Sequence, residues 1–274
     1  MNPPAGRLKS KKRPFPEIVY DMRHIVFSVI RQRPMQGGMG AKALGTGFFV
    51  AQNIFITCNH VMNDPSDPHQ PGDSYTLVAN LTGNSGTLYG LPNPQIGTDI
   101  NLFPNLDLAV LKIPTAQQAQ PFAALEYGGV YEGEDIGVVG YPLPELRVIN
   151  GNLQFDSLIY RASRGYVTGK FTANFDALPT SPAMQNVPVL EVNFLFVPGN
   201  SGGPVFAAET GRVIGFVRGY KTVKIREMVA TATMIQQLPL GVSGQYIENL
   251  NAIYSLAIKL DFIRATIESF GVTL

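Results

Sequence analysis

Apolar runs in this chain are short, and glycine, proline or asparagine interrupts them before a long helix can complete. His24–Ile30, Gly47–Val50, Leu108–Leu111, Gly137–Val139, Val189–Val192 and Arg212–Val217 are examples. Runs of this length, rich in Val, Ile and Phe and bounded by turn residues, form strands. The 28 glycines and 21 prolines among 274 residues provide many turns, which favours short strands over long helices. The pattern predicts an all-β chain built as a sandwich or barrels. One segment differs. Leu260–Phe270 places Phe262, Ile263, Ile267 and Phe270 at near-helical spacing. It is predicted as a final amphipathic helix, with Asp261 capping its start and Gly271 ending it.

Composition excludes several classes of partner. A net charge of +1 is too small for nucleic acid or an anionic membrane to be the partner of the whole surface. No apolar run is long enough to span a bilayer. The first residues carry a basic cluster with no apolar stretch behind it, unlike a secretory signal. With Cys58 the single cysteine, no internal disulfide is possible, and a cytoplasmic setting is expected. Three scattered histidines and one cysteine give no zinc spacing. Gly45-Thr46-Gly47 has no glycine–lysine pattern after it, so it is not a nucleotide loop. No metal and no cofactor are expected.

Residues 1–16 read as a flexible basic arm. Residues 62–105, rich in Asn, Asp, Pro and Gly, are expected to contain long surface loops.

The string Pro198-Gly199-Asn200-Ser201-Gly202-Gly203-Pro204 carries the chemistry. A serine hydroxyl is a poor nucleophile unless a base takes its proton and donors meet the oxyanion it creates. Glycines beside it let the backbone turn tightly and bring N–H groups close to a substrate. Of the three histidines, His69 lies in a loop-like Asp-Pro-His-Gln-Pro and reads as exposed, and His24 heads an apolar run and reads as structural. His60 closes the strand-like run from Ile54, a rigid place to hold an imidazole, and is expected to be the base. The base needs an orienting carboxylate. Asp107 leads directly into the run Leu108–Ile113 and fits better than Asp99 or Asp135. Cys58, two residues before His60, reads as a buried free cysteine, because the glycine-rich loop belongs to Ser201.

The order His60, Asp107, Ser201 is that of chymotrypsin-like triads, not of subtilisins or α/β-hydrolases. The chain resembles the trypsin-like serine proteases, and most closely the HtrA/Deg-type bacterial protease domain without its PDZ region. Gly45–Val50, Ile56–Val61, Asp107–Lys112, Gly137–Pro142, Gly165–Gly169 and Tyr254–Arg264 carry the resemblance, in order along the chain. It implies an all-β, chymotrypsin-like fold with two antiparallel six-stranded β-barrels and a C-terminal α-helix. Residues 17–274 would form this domain, the barrels meeting near 115–130, with the active site between them. The backbone N–H groups of Gly199 and Ser201 would form the oxyanion hole. Val217, Arg218 and Gly219 would pair with an extended substrate, and Leu195 would form the floor of the specificity pocket.

Two departures from the family stand out. Arg218 falls where a small residue usually lies near the catalytic aspartate, and residues 220–253 are longer than usual, as a specificity loop, lid or partner surface would be. The resemblance implies a serine endopeptidase acting on protein or peptide substrates through an acyl-enzyme. The alternative is a partner-gated or inactive binding module of the same fold, with a regulatory protein partner. Asn200 is uncharged, so no new N-terminal amine is expected to pair with it on activation.

Overall fold

Pro16 sits in the first turn of a helix, where a missing N–H costs nothing. Phe15–Met22 form that helix, α1. The computed structural model describes residues 12–64, 66–82, 85–114, 120–142, 145–149, 152–176, 183–224 and 251–272. After α1 come β1 (Val26–Met35), β2 (Gly38–Ala51), β3 (Ile54–Cys58) and the single turn α2 (Asn59–Met62). Next are β4 (Ser74–Thr82), β5 (Ser85–Leu91), β6 (Ile100–Phe103), a 3-10 turn over Pro104–Leu106 and β7 (Leu108–Lys112). Residues 113–134 lead to β8 (Asp135–Gly140), then β9 (Glu145–Ile149), β10 (Asn152–Ser157), β11 (Arg161–Phe175) and β12 (Met184–Val192). The chain closes with β13 (Pro204–Ala207), β14 (Val213–Lys224), β15 (Asn251–Lys259) and α3 (Leu260–Glu268).

The first half forms a seven-stranded sheet in the order β5-β4-β1-β2-β3-β7-β6. The second half is a closed six-stranded barrel, β11-β12-β15-β14-β13-β8, with β9 and β10 as a separate hairpin. Every paired neighbour is antiparallel. This is the expected chymotrypsin-like architecture, with one strand more in the first sheet because Ile100–Phe103 folds back on β7. Its core is aromatic. Phe27 and Phe49 meet edge to face at 5.4 Å, and Phe49 meets Phe55 at 5.2 Å. The second barrel is filled by Val138, Val167, Leu190, Val205, Ile214 and Val217, all buried.

Several local expectations need correction. The arm does not run free to residue 16. Lys12 pairs with Glu209 at 2.7 Å, the Arg13 N–H donates to the Glu209 carbonyl, and Phe15 stacks on Phe206. Ile18, buried on the inner face of α1, completes the docking. Residues 1–11 lie outside the described residues. Residues 62–105 also hold three strands, β4, β5 and β6, between their connecting segments. Their acidic turn is bound to β1: Arg33 reaches Asp73 with Nε at 2.6 Å and Asp67 with one terminal nitrogen at 2.7 Å.

His69 is not exposed. Its ring stacks on Tyr75 and its Nδ1 lies 2.8 Å from the Tyr75 hydroxyl. His24 is exposed in the turn before β1 rather than built into the strand. Asp261 does not cap α3, because its carboxylate accepts the Gly128 N–H at 2.9 Å and pairs with Lys259. The long segment after the pocket strand begins and ends as ladder, with Tyr220–Lys224 paired to Asn251–Ser255. Residues 225–250 lie outside the described residues.

Candidate active site

His60 is the second residue of α2, immediately after β3. A helix start leaves N–H groups without intrahelical partners, and here Asp107 supplies acceptors for them from the start of the neighbouring strand. Its carbonyl accepts the Asn59 N–H at 3.0 Å, and its Oδ1 accepts the His60 N–H at 3.1 Å. The same carboxylate meets the ring, with His60 Nδ1 2.9 Å from Oδ2 and 3.0 Å from Oδ1. Asp107 ends the 3-10 turn in the left-handed region, at φ 45° and ψ 40°, just before β7. Aspartate tolerates that region better than most residues. The strained backbone aims the carboxylate at the imidazole instead of continuing the strand. Burial alone would push this carboxyl up. The charge and ring N–H of His60 and the guanidinium of Arg218 instead hold it below the usual carboxylate range.

Ser201 lies on the loop between β12 and β13. Gly199 turns at φ 94°, and Gly202 at φ 84°, where a Cβ would strike the Thr46 carbonyl and the Thr57 hydroxyl. Only glycine fits that second turn. The first sheet holds the loop through Thr46. Its N–H donates to the Ser201 carbonyl at 2.9 Å, and its hydroxyl donates to the Gly199 carbonyl at 2.6 Å. From the loop's other side, the Gly202 N–H donates to the Val217 carbonyl at 2.8 Å. Among the described residues, the N–H groups of Gly199 and Ser201 have no acceptor, so both remain available to an oxyanion. Ser201 Oγ is not hydrogen-bonded to His60 here, and such bonds often tighten only around substrate.

Ser201, Phe196, Val197, Pro198, Val217, Arg218 and Gly219 line a cavity of about 210 Å³. Leu195, the expected floor, is 57% exposed and does not line it. Phe196 turns inward instead, with its N–H on the Ser255 hydroxyl at 2.9 Å. Arg218 is the extra residue of a bulge, since Val217 and Gly219 oppose the consecutive residues Ala257 and Leu256 of β15. A bulge re-aims a side chain. This one brings Arg218 Nε to 2.6 Å from Asp107 Oδ2, with the guanidinium carbon 5.0 Å from the centre of the Phe175 ring. The Nε–H is not aligned on the oxygen, so attraction between charges holds the pair.

Asp99 and Asp135 are engaged elsewhere, with the Gln95 N–H and with Arg164. Cys58, His60 and Asp107 offer ligand atoms within 4.8 Å of one another. Their chemistry disfavours a cation. Arg218 already occupies the carboxylate, and burial, reinforced by Asp107, pushes the Cys58 thiol well up, so it stays protonated and donates to the Val217 carbonyl. Thr46, inside the motif Gly45–Val50, is not among the candidate residues of the sequence, yet it is the residue that bonds the nucleophile loop to the first sheet.

The fold recurs in solved proteases. The active form of the Rv3671c protease from M. tuberculosis superposes with a TM-score of 0.57 at 16% identity, covering 100% of this chain and 96% of that one. Deg5 gives 0.53 at 16% identity, covering 92% and 91%. The HtrA-type protease AlgW, solved with a decapeptide, gives 0.54 at 14%, covering 94% and 66%. Among curated proteins, the uncharacterized protein y4bJ of Sinorhizobium fredii is 25% identical over 236 residues, or 85% of this chain. The chain spans 28% of that relative's length. A family profile described as a trypsin-like peptidase domain matches residues 45–216, from the strand that carries Thr46 to the strand that carries Arg218. The chain therefore belongs to the trypsin-like peptidase family, a family of serine-type proteases.

Proposed function

We propose that this chain is a serine endopeptidase that cleaves protein substrates through an acyl-enzyme, with Ser201 as nucleophile, His60 as base and Asp107 as its orienting carboxylate. The observation that carries this reading is the His60–Asp107 pair at 2.9 Å, together with a serine loop whose Gly199 and Ser201 N–H groups lack acceptors among the described residues. Asp107 holds the proton on Nδ1, which leaves Nε2 with a lone pair. Ser201 Oγ attacks the peptide carbonyl carbon and its proton passes to Nε2. The Gly199 and Ser201 N–H groups receive the oxyanion. His60 returns the proton to the leaving amine, the C–N bond breaks, and the acyl-enzyme remains. Water then attacks with His60 again as base, and Ser201 is released. The bulge takes Arg218 out of the strand ladder, which leaves its backbone for an extended substrate, whereas the Val217 N–H and carbonyl are taken by Gly203 and Gly202. The single cysteine is free and buried, as suits a reducing compartment inside the cell.

A fluorophosphonate probe tests the assignment. Labelling should fall on Ser201 and disappear in Ser201→Ala, which should fold normally and lose nearly all peptide turnover. Unlabelled parent protein, or a folded Ser201→Ala with parental turnover, would refute it.

A further inference from the structure

We propose that Arg218 is a positioning residue that holds Asp107 by charge and extends the working range of His60 as a base toward lower pH. The proposal deepens the triad reading and rests on it. Asp107 is buried, and its Oδ2 lies 2.6 Å from Arg218 Nε and 2.9 Å from His60 Nδ1. One carboxylate thus faces two groups that can be cationic. Arginine keeps its charge throughout the working pH range. A proton arriving at His60 makes a second cation on a carboxylate whose charge is already partly compensated. Repulsion between the two cations opposes that protonation, so removing Arg218 should ease it and narrow the range over which the neutral imidazole can act as base.

The charges that act most strongly on the carboxyl are His60 and Arg218, and the neighbouring Cys58 thiol is kept protonated by burial. Strand β12, packed on the 3-10 turn, carries Glu191 as its one charged residue. The other residues of α2 are Asn59, Val61 and Met62, the 3-10 turn is Pro104, Asn105 and Leu106, and β2 contributes Thr46. Ser201 shares the cavity with Arg218, and β11 contributes the Phe175 ring against the guanidinium. Because Nε–H is not aligned on Oδ2, the effect is one of charge, and a lysine should reproduce part of it.

The test is the pH profile of kcat/KM on an uncharged peptide, for the full chain, Arg218→Met and Arg218→Lys. Removing the charge should move the acid limb up by about one pH unit, and lysine should restore about half of that shift. A residue with only a structural role would lower the plateau and leave the limb in place. Acid limbs that coincide, or one that moves down in Arg218→Met, would overturn the proposal. Should Arg218→Met misfold, Arg218→Gln carries the same comparison. A second readout does not need activity. NMR titration of the His60 ring in Ser201→Ala should show the same upward shift on adding Arg218→Met, with His24 and His69 as internal controls. An inert parent protein whose His60 titration still shifts would refute the triad reading and leave the ion pair standing. An active parent whose titration does not shift would do the reverse.

Discussion

The Thr46 hydroxyl donates to the Gly199 carbonyl across 2.6 Å, joining the first sheet to the nucleophile loop. The same oxygen accepts the Tyr141 N–H at 3.0 Å, so one side chain satisfies two backbone groups from the second half of the chain. Thr46→Val keeps the shape and removes both bonds. Leaving buried polar groups unpaired costs about 1–3 kcal/mol each, and the Gly199 peptide would lose its orientation. Turnover should fall by about ten-fold or more, with a lower unfolding midpoint. Peptide kinetics and thermal melts check this, and unchanged turnover would show that the loop holds itself.

Asp107→Asn should lower turnover by about 10⁴-fold, because the ring of His60 would then settle in the wrong tautomer. Asp99→Asn should be nearly silent, since that carboxylate serves the Gln95 N–H. Single-turnover kinetics on both variants check the contrast. The opposite ranking would transfer the orienting role to Asp99.

Acid should loosen the turn that follows α2. Burial would push the Asp67 carboxyl up, but Lys42 and Arg31 pull it down to about 2. Asp73, through Arg33, is also held below the usual range. A depressed carboxyl contributes stability that is fully present above its unfolded value, near about pH 4, and is lost as pH falls through its folded value. The unfolding midpoint should therefore drop between about pH 4 and about pH 2. Asp67→Asn should flatten that drop. Melts across this range check it, and equal slopes in the two proteins would contradict it.

Cleavage should follow apolar residues. The cavity beside Ser201 is walled by Phe196, Val197, Pro198, Val217 and Gly219, and among the described residues no carboxylate lines it. A substrate lysine or arginine buried there would lack a partner, at a cost of several kcal/mol. An aliphatic side chain gains about 25 cal/mol per Å² of apolar area buried. Peptide-library profiling gives the answer directly. Dominant Lys or Arg would refute an apolar pocket, and dominant Asp or Glu would assign the recognition to Arg218.

The sequence by itself determined the strand-rich class and the helix at Leu260, and it singled out His60, Asp107 and Ser201, the residues of the proposed triad. Each of these is a local signal. Run length and turn residues mark strands, and a glycine-flanked serine, a histidine closing a strand run and an acid opening another mark the site. The docking of Lys12–Met22 was hidden, because a basic, proline-rich start looks like a tail until Glu209 and Phe206 come near it. The acidic turn looked like open loop, because its stability comes from Arg31 and Arg33, more than thirty residues away in the chain. The resemblance puts Leu195 at the pocket floor, but which residue turns inward depends on what packs there, and Phe196, whose N–H donates to the Ser255 hydroxyl, does so instead. Only the tertiary structure brought Thr46 to Gly199 and Arg218 to Asp107. Both contacts join residues far apart in the chain, and the second also depends on a bulge of a single residue, which no local pattern encodes.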